Sequence, residues 1–87
     1  MPLERIVISA HAQFEMRRRG IGRSEVIATV RNPDQVLPSV KGRQIYQCKL
    51  APARRMLLRV IVKEVSRAYH VITAYKTSKI AKYWRSP

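Results

Sequence analysis

The hydrophobic period of this chain changes once, at Asn32-Pro33, and any fold that buries its apolar residues has to respect that change. Upstream, the residues favour helices. Ser9 is a good N-cap for a helix over Ala10–Arg19, and Gly20 follows as a C-terminal glycine should. Ser24 is then expected to cap a second helix, with Glu25 in its first turn and Val26, Ile27 and Val30 as its apolar stripe. Asn32-Pro33 ends that helix, because a residue preceding proline resists the helical region.

From Gln35 onward apolar and polar residues alternate between turn signals, which is the strand pattern. Val36–Val40 is a short strand that Pro38 confines to a sheet edge. Lys41-Gly42 is a hairpin turn into a strand over Arg43–Leu50, where Tyr46, Cys48 and Leu50 share a face. Ala51-Pro52-Ala53-Arg54 reads as a turn, then Met56–Lys63 and Tyr69–Lys76 form the two central strands about a turn at Val65-Ser66-Arg67. Alternation puts Leu58, Val60 and Val62 on one face and Leu57, Arg59 and Ile61 on the other. Ile72 and Ala74 are expected to join the first group, leaving Val71, Thr73 and Tyr75 beside Arg59. The segment Ser78–Trp84 is a basic tail of one or two helical turns, with Ile80, Tyr83 and Trp84 able to pack back on the sheet. The expected fold is therefore α+β: two N-terminal helices packed on a four-stranded antiparallel sheet, in a single domain over 1–87.

Charge narrows the function. Eighteen Lys and Arg against five Asp and Glu give a formal net charge of +13, and self-repulsion of that size calls for a polyanionic partner. The hydrophobic fraction of 46% is too high for a disordered chain, so the charges decorate a fold. No apolar run approaches the roughly 20 residues of a spanning helix, and Ile6-Val7-Ile8 is too short for the core of a signal peptide. A cytoplasmic protein without membrane association is expected. One cysteine, Cys48, gives neither a disulfide nor a metal pair and reads as a small buried hydrophobe. No metal site, glycine-rich phosphate loop or Ser/His/Asp triad is present in the pattern, so no cofactor is expected.

His11 and Glu15 lie one helical turn apart with Arg18 on the next turn, which suits an acid/base pair beside a phosphate-binding cation. The same spacing also describes an ordinary surface histidine above a salt bridge. Arg59, in the most apolar strand, needs either a carboxylate such as Glu15 or Glu64 or an external anion. Thr73, Tyr75, Lys76, Lys79, Lys82 and Tyr83 form a basic stretch interleaved with aromatics, as in proteins that stack bases and hold phosphates. A solvated lysine face is the alternative there. His70 is expected on the core side of its strand or at its edge, with a structural role.

The runs Ser9–Ile21 (SAHAQFEMRRRGI), Asn32-Pro33, Gly42-Arg43 with Tyr46, and Thr73–Trp84 (TAYKTSKIAKYW) resemble a family of small bacterial proteins of unknown function. That family is allied to the RelE-like and BrnT-like toxins of toxin–antitoxin modules. The resemblance implies a RelE/barnase-like fold with a concave basic face for RNA. It further implies a metal-independent endoribonuclease, held silent by a small acidic antitoxin and acting on RNA that includes ribosome-associated mRNA. Chemistry then suggests His11, Glu15, Arg59 and Tyr75 as catalytic groups, and Arg18, Arg43, Thr73, Lys76, Lys79, Lys82 and Tyr83 as RNA contacts. Cleavage would proceed by attack of the 2′-hydroxyl, leaving a cyclic phosphate. Two other functions use the same residues: a non-catalytic nucleic-acid-binding module, and a ParE-like toxin that grips a protein target.

Overall fold

The computed structural model describes residues 5–50 and 55–85, so the turn expected at 51–54 lies outside the described residues. The elements run β1 (Arg5–Ile8), α1 (Ala10–Arg18), α2 (Arg23–Arg31), β2 (Gln35–Pro38), β3 (Gln44–Leu50), β4 (Met56–Val65), β5 (Ala68–Thr77) and α3 (Ile80–Tyr83). The sheet has five strands, not four, in the order β1-β5-β4-β3-β2. The additional strand is Ile6-Val7-Ile8 with Arg5, which pairs parallel to β5 from Arg5↔Ala68 to Ile8↔Val71. Its three β-branched residues carry the strand propensity, but four residues show no alternation long enough to declare it.

Both helices begin as local chemistry dictates, one of them two residues earlier than expected. Ser9 caps α1 by accepting from the Ala12 amide at 3.0 Å, and its hydroxyl donates to the Val71 carbonyl at 3.3 Å, tying the helix start to β5. Gly20 follows α1 at φ +68°. Helix α2 is capped at Gly22 rather than Ser24: Glu25 reaches back to accept from the Gly22 amide at 3.0 Å, so Ser24 falls inside the first turn. Ala12 and Met16 of α1 and Val26, Thr29 and Val30 of α2 are buried. Apart from Thr29, these join Ile8, Ile21, Tyr46, Leu58, Val60, Val62, Val71 and Ala74 in the core, between the two helices and one face of the sheet.

The strand meander follows its turn chemistry. Lys41 and Gly42 both have positive φ and Arg43 donates its amide to the Val40 carbonyl, the geometry of a hairpin that matches strand twist. Ser66 and Arg67 turn β4 into β5 the same way, at φ 51° and 64°. Edge placement of Pro38 holds, since β2 ends the sheet. One expectation fails at a single residue. The β4–β5 register passes from Ile61↔Thr73 to Val62↔Val71, so Ile72 is an inserted bulge residue. The bulge reverses the phase below it. Val71, not Ile72, enters the core, while Ala74 above the bulge stays where alternation put it. By the same phase, His70 falls on the face away from the core, opposite Lys63, flanked by the core-facing Tyr69 and Val71.

Tyr46 closes the core beside Tyr69, ring centroids 6.0 Å apart, and donates to Glu64 at 3.2 Å. Burial, reinforced by the Glu64 charge, pushes its phenol up to about 12, so it serves as a neutral donor. Cys48 is half-buried rather than buried, with Sγ 3.6 Å from the Asn32 carbonyl. No helix among the described residues is long and apolar enough to cross a membrane.

Candidate nucleic-acid interface

The sheet face turned away from α1 and α2 is built around Arg59. Position 59 alternates with the core residues Leu58 and Val60, so its side chain leaves the sheet on the opposite side, yet the residue is only 6% exposed. Register explains what surrounds it. Gln47 of β3 lies directly opposite Arg59 on one flank and Tyr75 of β5 on the other. The Arg59 Nε donates to Gln47 Oε1 at 2.9 Å and Nη1 donates to the Tyr75 hydroxyl at 2.6 Å. The Tyr83 ring of α3 lies over the guanidinium, 4.1 Å from its carbon, and Tyr75 meets Tyr83 edge-on at 6.5 Å. A desolvated guanidinium over an aromatic face gains about 2 kcal/mol.

Gln47 is fully buried and holds this arrangement. Its Nε2 donates to Gln35 Oε1 at 2.8 Å and to the Tyr83 carbonyl at 3.2 Å, which leaves Oε1 as the group facing Arg59. The amide orientation is thus set by two acceptors on one side and one donor on the other. Along the same strand Lys49 sets its Nζ 4.0 Å over the Trp84 ring.

Among the described residues, every partner of Arg59 is neutral. Among the described residues the carboxylates are engaged elsewhere: Glu15 with Arg18 and Arg19, both at 2.9 Å, Glu25 with Lys76 at 3.7 Å, Glu64 with Tyr46, and Asp34 with the Lys49 amide at 3.0 Å. The two carboxylates that sequence offered as partners, Glu15 and Glu64, do not reach it. A buried cation satisfied only by dipoles keeps its charge available to an anion.

A family model described as Domain of unknown function (DUF4258) matches residues 8–76. The chain belongs to that family. No curated protein matches it at a significant level. Among solved structures, it is similar to the crystal structure of the Brucella abortus ribonuclease toxin BrnT, with a TM-score of 0.60 and 18% identity over 86% of this chain and 97% of that one. The DUF4258 domain therefore has a BrnT-like mixed fold, with five strands and three helices among the described residues.

The domain does not assemble the expected catalytic residues in one place. His11 and Glu15 ride on α1, whose Ala12 and Met16 pack on the core face, so the sheet stands between them and Arg59. A shared site for His11, Glu15, Arg59 and Tyr75 requires that helix to lie beside Arg59; the core stripe of α1 turns it to the other face. Only Arg19 reaches the rim, where Nη1 donates to the Ala74 carbonyl at 2.9 Å and to Thr73 Oγ1 at 3.4 Å. Arg18 stays on Glu15, and Lys76 points to Glu25 on the helix side. Arg43 stands four residues before Gln47, roughly 13 Å along the strand direction. Its Nε is buried without a hydrogen-bond partner among the described residues. Thr73 and Tyr75 share the Arg59 face, Lys79 precedes α3, and Lys82 Nζ sits 5.2 Å from the Tyr83 ring. Sequence reasoning missed Gln47 and Gln35, polar residues whose importance depends on strand register.

The hydrogen bond from Arg18 holds the Glu15 carboxyl below its ordinary value of 4.5, with the charges of Arg18, Arg19 and His11 acting the same way against a desolvation cost. A carboxylate depressed on folding stabilises above pH 4.5, and the benefit is lost as pH falls through its lowered folded value. Glu15→Gln should accordingly lower Tm slightly at pH 7, and the gap from the parent should close in acid. Thermal melts across an acid pH series check this, and a gap that persists at low pH contradicts it.

Proposed function

We propose that this DUF4258 domain is a toxin-like ribonuclease of a toxin–antitoxin module, acting in the cytoplasm on single-stranded RNA without a metal and restrained by a small acidic antitoxin. The observation that carries the proposal is Arg59, a buried guanidinium with no carboxylate partner among the described residues, set among Tyr75, Tyr83 and Gln47. The fold shared with a ribonuclease toxin supports it, as does the charge of +13. In this reading the phosphate under attack by the neighbouring 2′-hydroxyl meets the Arg59 guanidinium, whose charge favours the more highly charged transition state. The Tyr75 hydroxyl, held by Arg59, is placed to donate to the departing 5′-oxygen, while the 2′-hydroxyl gives its proton to solvent water, which returns one to the Tyr75 phenolate. Lys79 and Lys82 neutralise flanking phosphates. His11 and Glu15 lie outside this site.

One observation favours a second reading. With His11 and Glu15 behind the sheet, the Arg59 face lacks an imidazole–carboxylate pair, which suits a module that binds RNA without cutting it. Both readings require contact with phosphates, and both predict that log Kobs for a single-stranded RNA falls linearly with log salt, by about −0.7 per phosphate neutralised. Fluorescence anisotropy over a salt series measures the slope, and Lys82→Ala should reduce it by about that unit while weakening binding. A flat dependence contradicts both.

A further inference from the structure

The segment after β5 returns across the sheet and is fastened at several points. Gln35 of the edge strand pairs with the backbone of Arg85 in both directions: Nε2 donates to its carbonyl, and the Arg85 amide donates to Oε1 at 3.1 Å. Gln47 donates to the Tyr83 carbonyl, and Lys49 sits beneath Trp84. These bonds bring the Tyr83 ring to the Arg59 guanidinium, 4.1 Å from its carbon. A flat π-face against an arginine that no described carboxylate compensates is the arrangement a splayed nucleobase adopts on a protein. The fastenings are one two-bond clasp, one further hydrogen bond and contacts of half-buried rings, and α3 contributes no buried residue.

We infer that residues 79–85 form a strap whose Tyr83 occupies a nucleobase-stacking subsite on Arg59, so that single-stranded RNA binds by displacing the strap. This rests on the RNA reading above and deepens it: the ligand is an unpaired base with its adjoining phosphate, and the resting protein is self-inhibited. Binding then includes the cost of undocking, and apparent affinity is reduced by the fraction of molecules whose strap is open. The sequence pattern makes Tyr83 an RNA contact, whereas here it is the competitor for one.

Trp84 is the chain's single tryptophan and lies in the strap, so its fluorescence reports docking without a label. The experiment compares the parent protein with Gln35→Ala, which removes the Arg85 clasp, and Tyr83→Ala, which vacates the subsite, with circular dichroism verifying that each is folded. The probe is a fluorescein-labelled 2′-O-methyl oligoribonucleotide, which resists 2′-hydroxyl attack. Acrylamide quenching of Trp84 should rise in free Gln35→Ala and should rise in the parent on adding the oligonucleotide. Both variants should bind it at least about threefold more tightly. Unchanged quenching in Gln35→Ala overturns the strap whatever RNA does. Normal binding by the parent with weaker binding by Tyr83→Ala also overturns it, making Tyr83 an RNA contact and leaving the RNA reading intact. Binding by the variants alone supports a closed strap, and binding by none of the three removes the RNA reading and the strap together.

Discussion

Arg59→Met should reduce RNA cleavage by roughly a hundredfold or more while leaving the protein folded, with Tm close to the parent's. The size follows from losing one preorganised donor to a developing oxyanion, which typically costs about 10²–10³ in rate. Stability should move little because two effects oppose each other. Gln47 Oε1 and the Tyr75 hydroxyl lose their donor, but the cost of burying a cation disappears and methionine fills most of the volume. Met is the informative choice. At 6% exposure an alanine there leaves a cavity and confuses a folding defect with a functional one. Single-turnover rates and thermal melts on the same preparation separate the two, and a variant that cleaves like the parent removes Arg59 from the site.

The largest effect on stability should come from Leu58→Ala. Leu58 is fully buried at the centre of the core, in the long strand β4. Truncation there costs about 2–5 kcal/mol, against a total of about 5–15 kcal/mol for a domain. In a domain of this size each kcal/mol moves Tm by roughly 4–8 °C. The variant should therefore melt well below the parent or fail to fold cooperatively. Val36→Ala, on the exposed face of the edge strand, should stay within about 0.5 kcal/mol of it. Comparable melts for the two would mean that the face carrying Leu58, Val60 and Val62 is not the core.

Much of the fold was legible because its signals are local. Ser9, Gly20 and Asn32-Pro33 mark helix ends through contacts within a few residues, and Leu58, Val60 and Val62 mark a face through strict alternation. The differences at β1 and at Ile72 share one origin, in that they depend on partners distant in sequence. Ile6-Val7-Ile8 becomes a strand only because β5 offers an edge, and Ile72 bulges only because β4 sets the register against it. Ser24 loses the cap to Gly22 because Glu25 bonds back to the Gly22 amide, a capping pattern contained within three residues. The site divides in the same way. Arg59 stood out as a charge in an apolar strand, and Thr73 and Tyr75 were placed on its face correctly. Gln47 was invisible, since only the Gln47↔Arg59 register gives it a role. Placing His11 beside Arg59 failed because helical spacing shows which residues share a side of α1, but not which side of the sheet α1 covers.

The central claim is that the Arg59 face, and not the His11 helix, acts on RNA without a metal. The most direct measurement incubates a single-stranded RNA in EDTA with the parent protein, Arg59→Met and His11→Ala, and identifies the product ends. Fragments ending in cyclic phosphate are expected from the parent and from His11→Ala, and almost none from Arg59→Met. Cleavage that survives in Arg59→Met but vanishes in His11→Ala would contradict it, as would a parent protein that leaves the RNA intact.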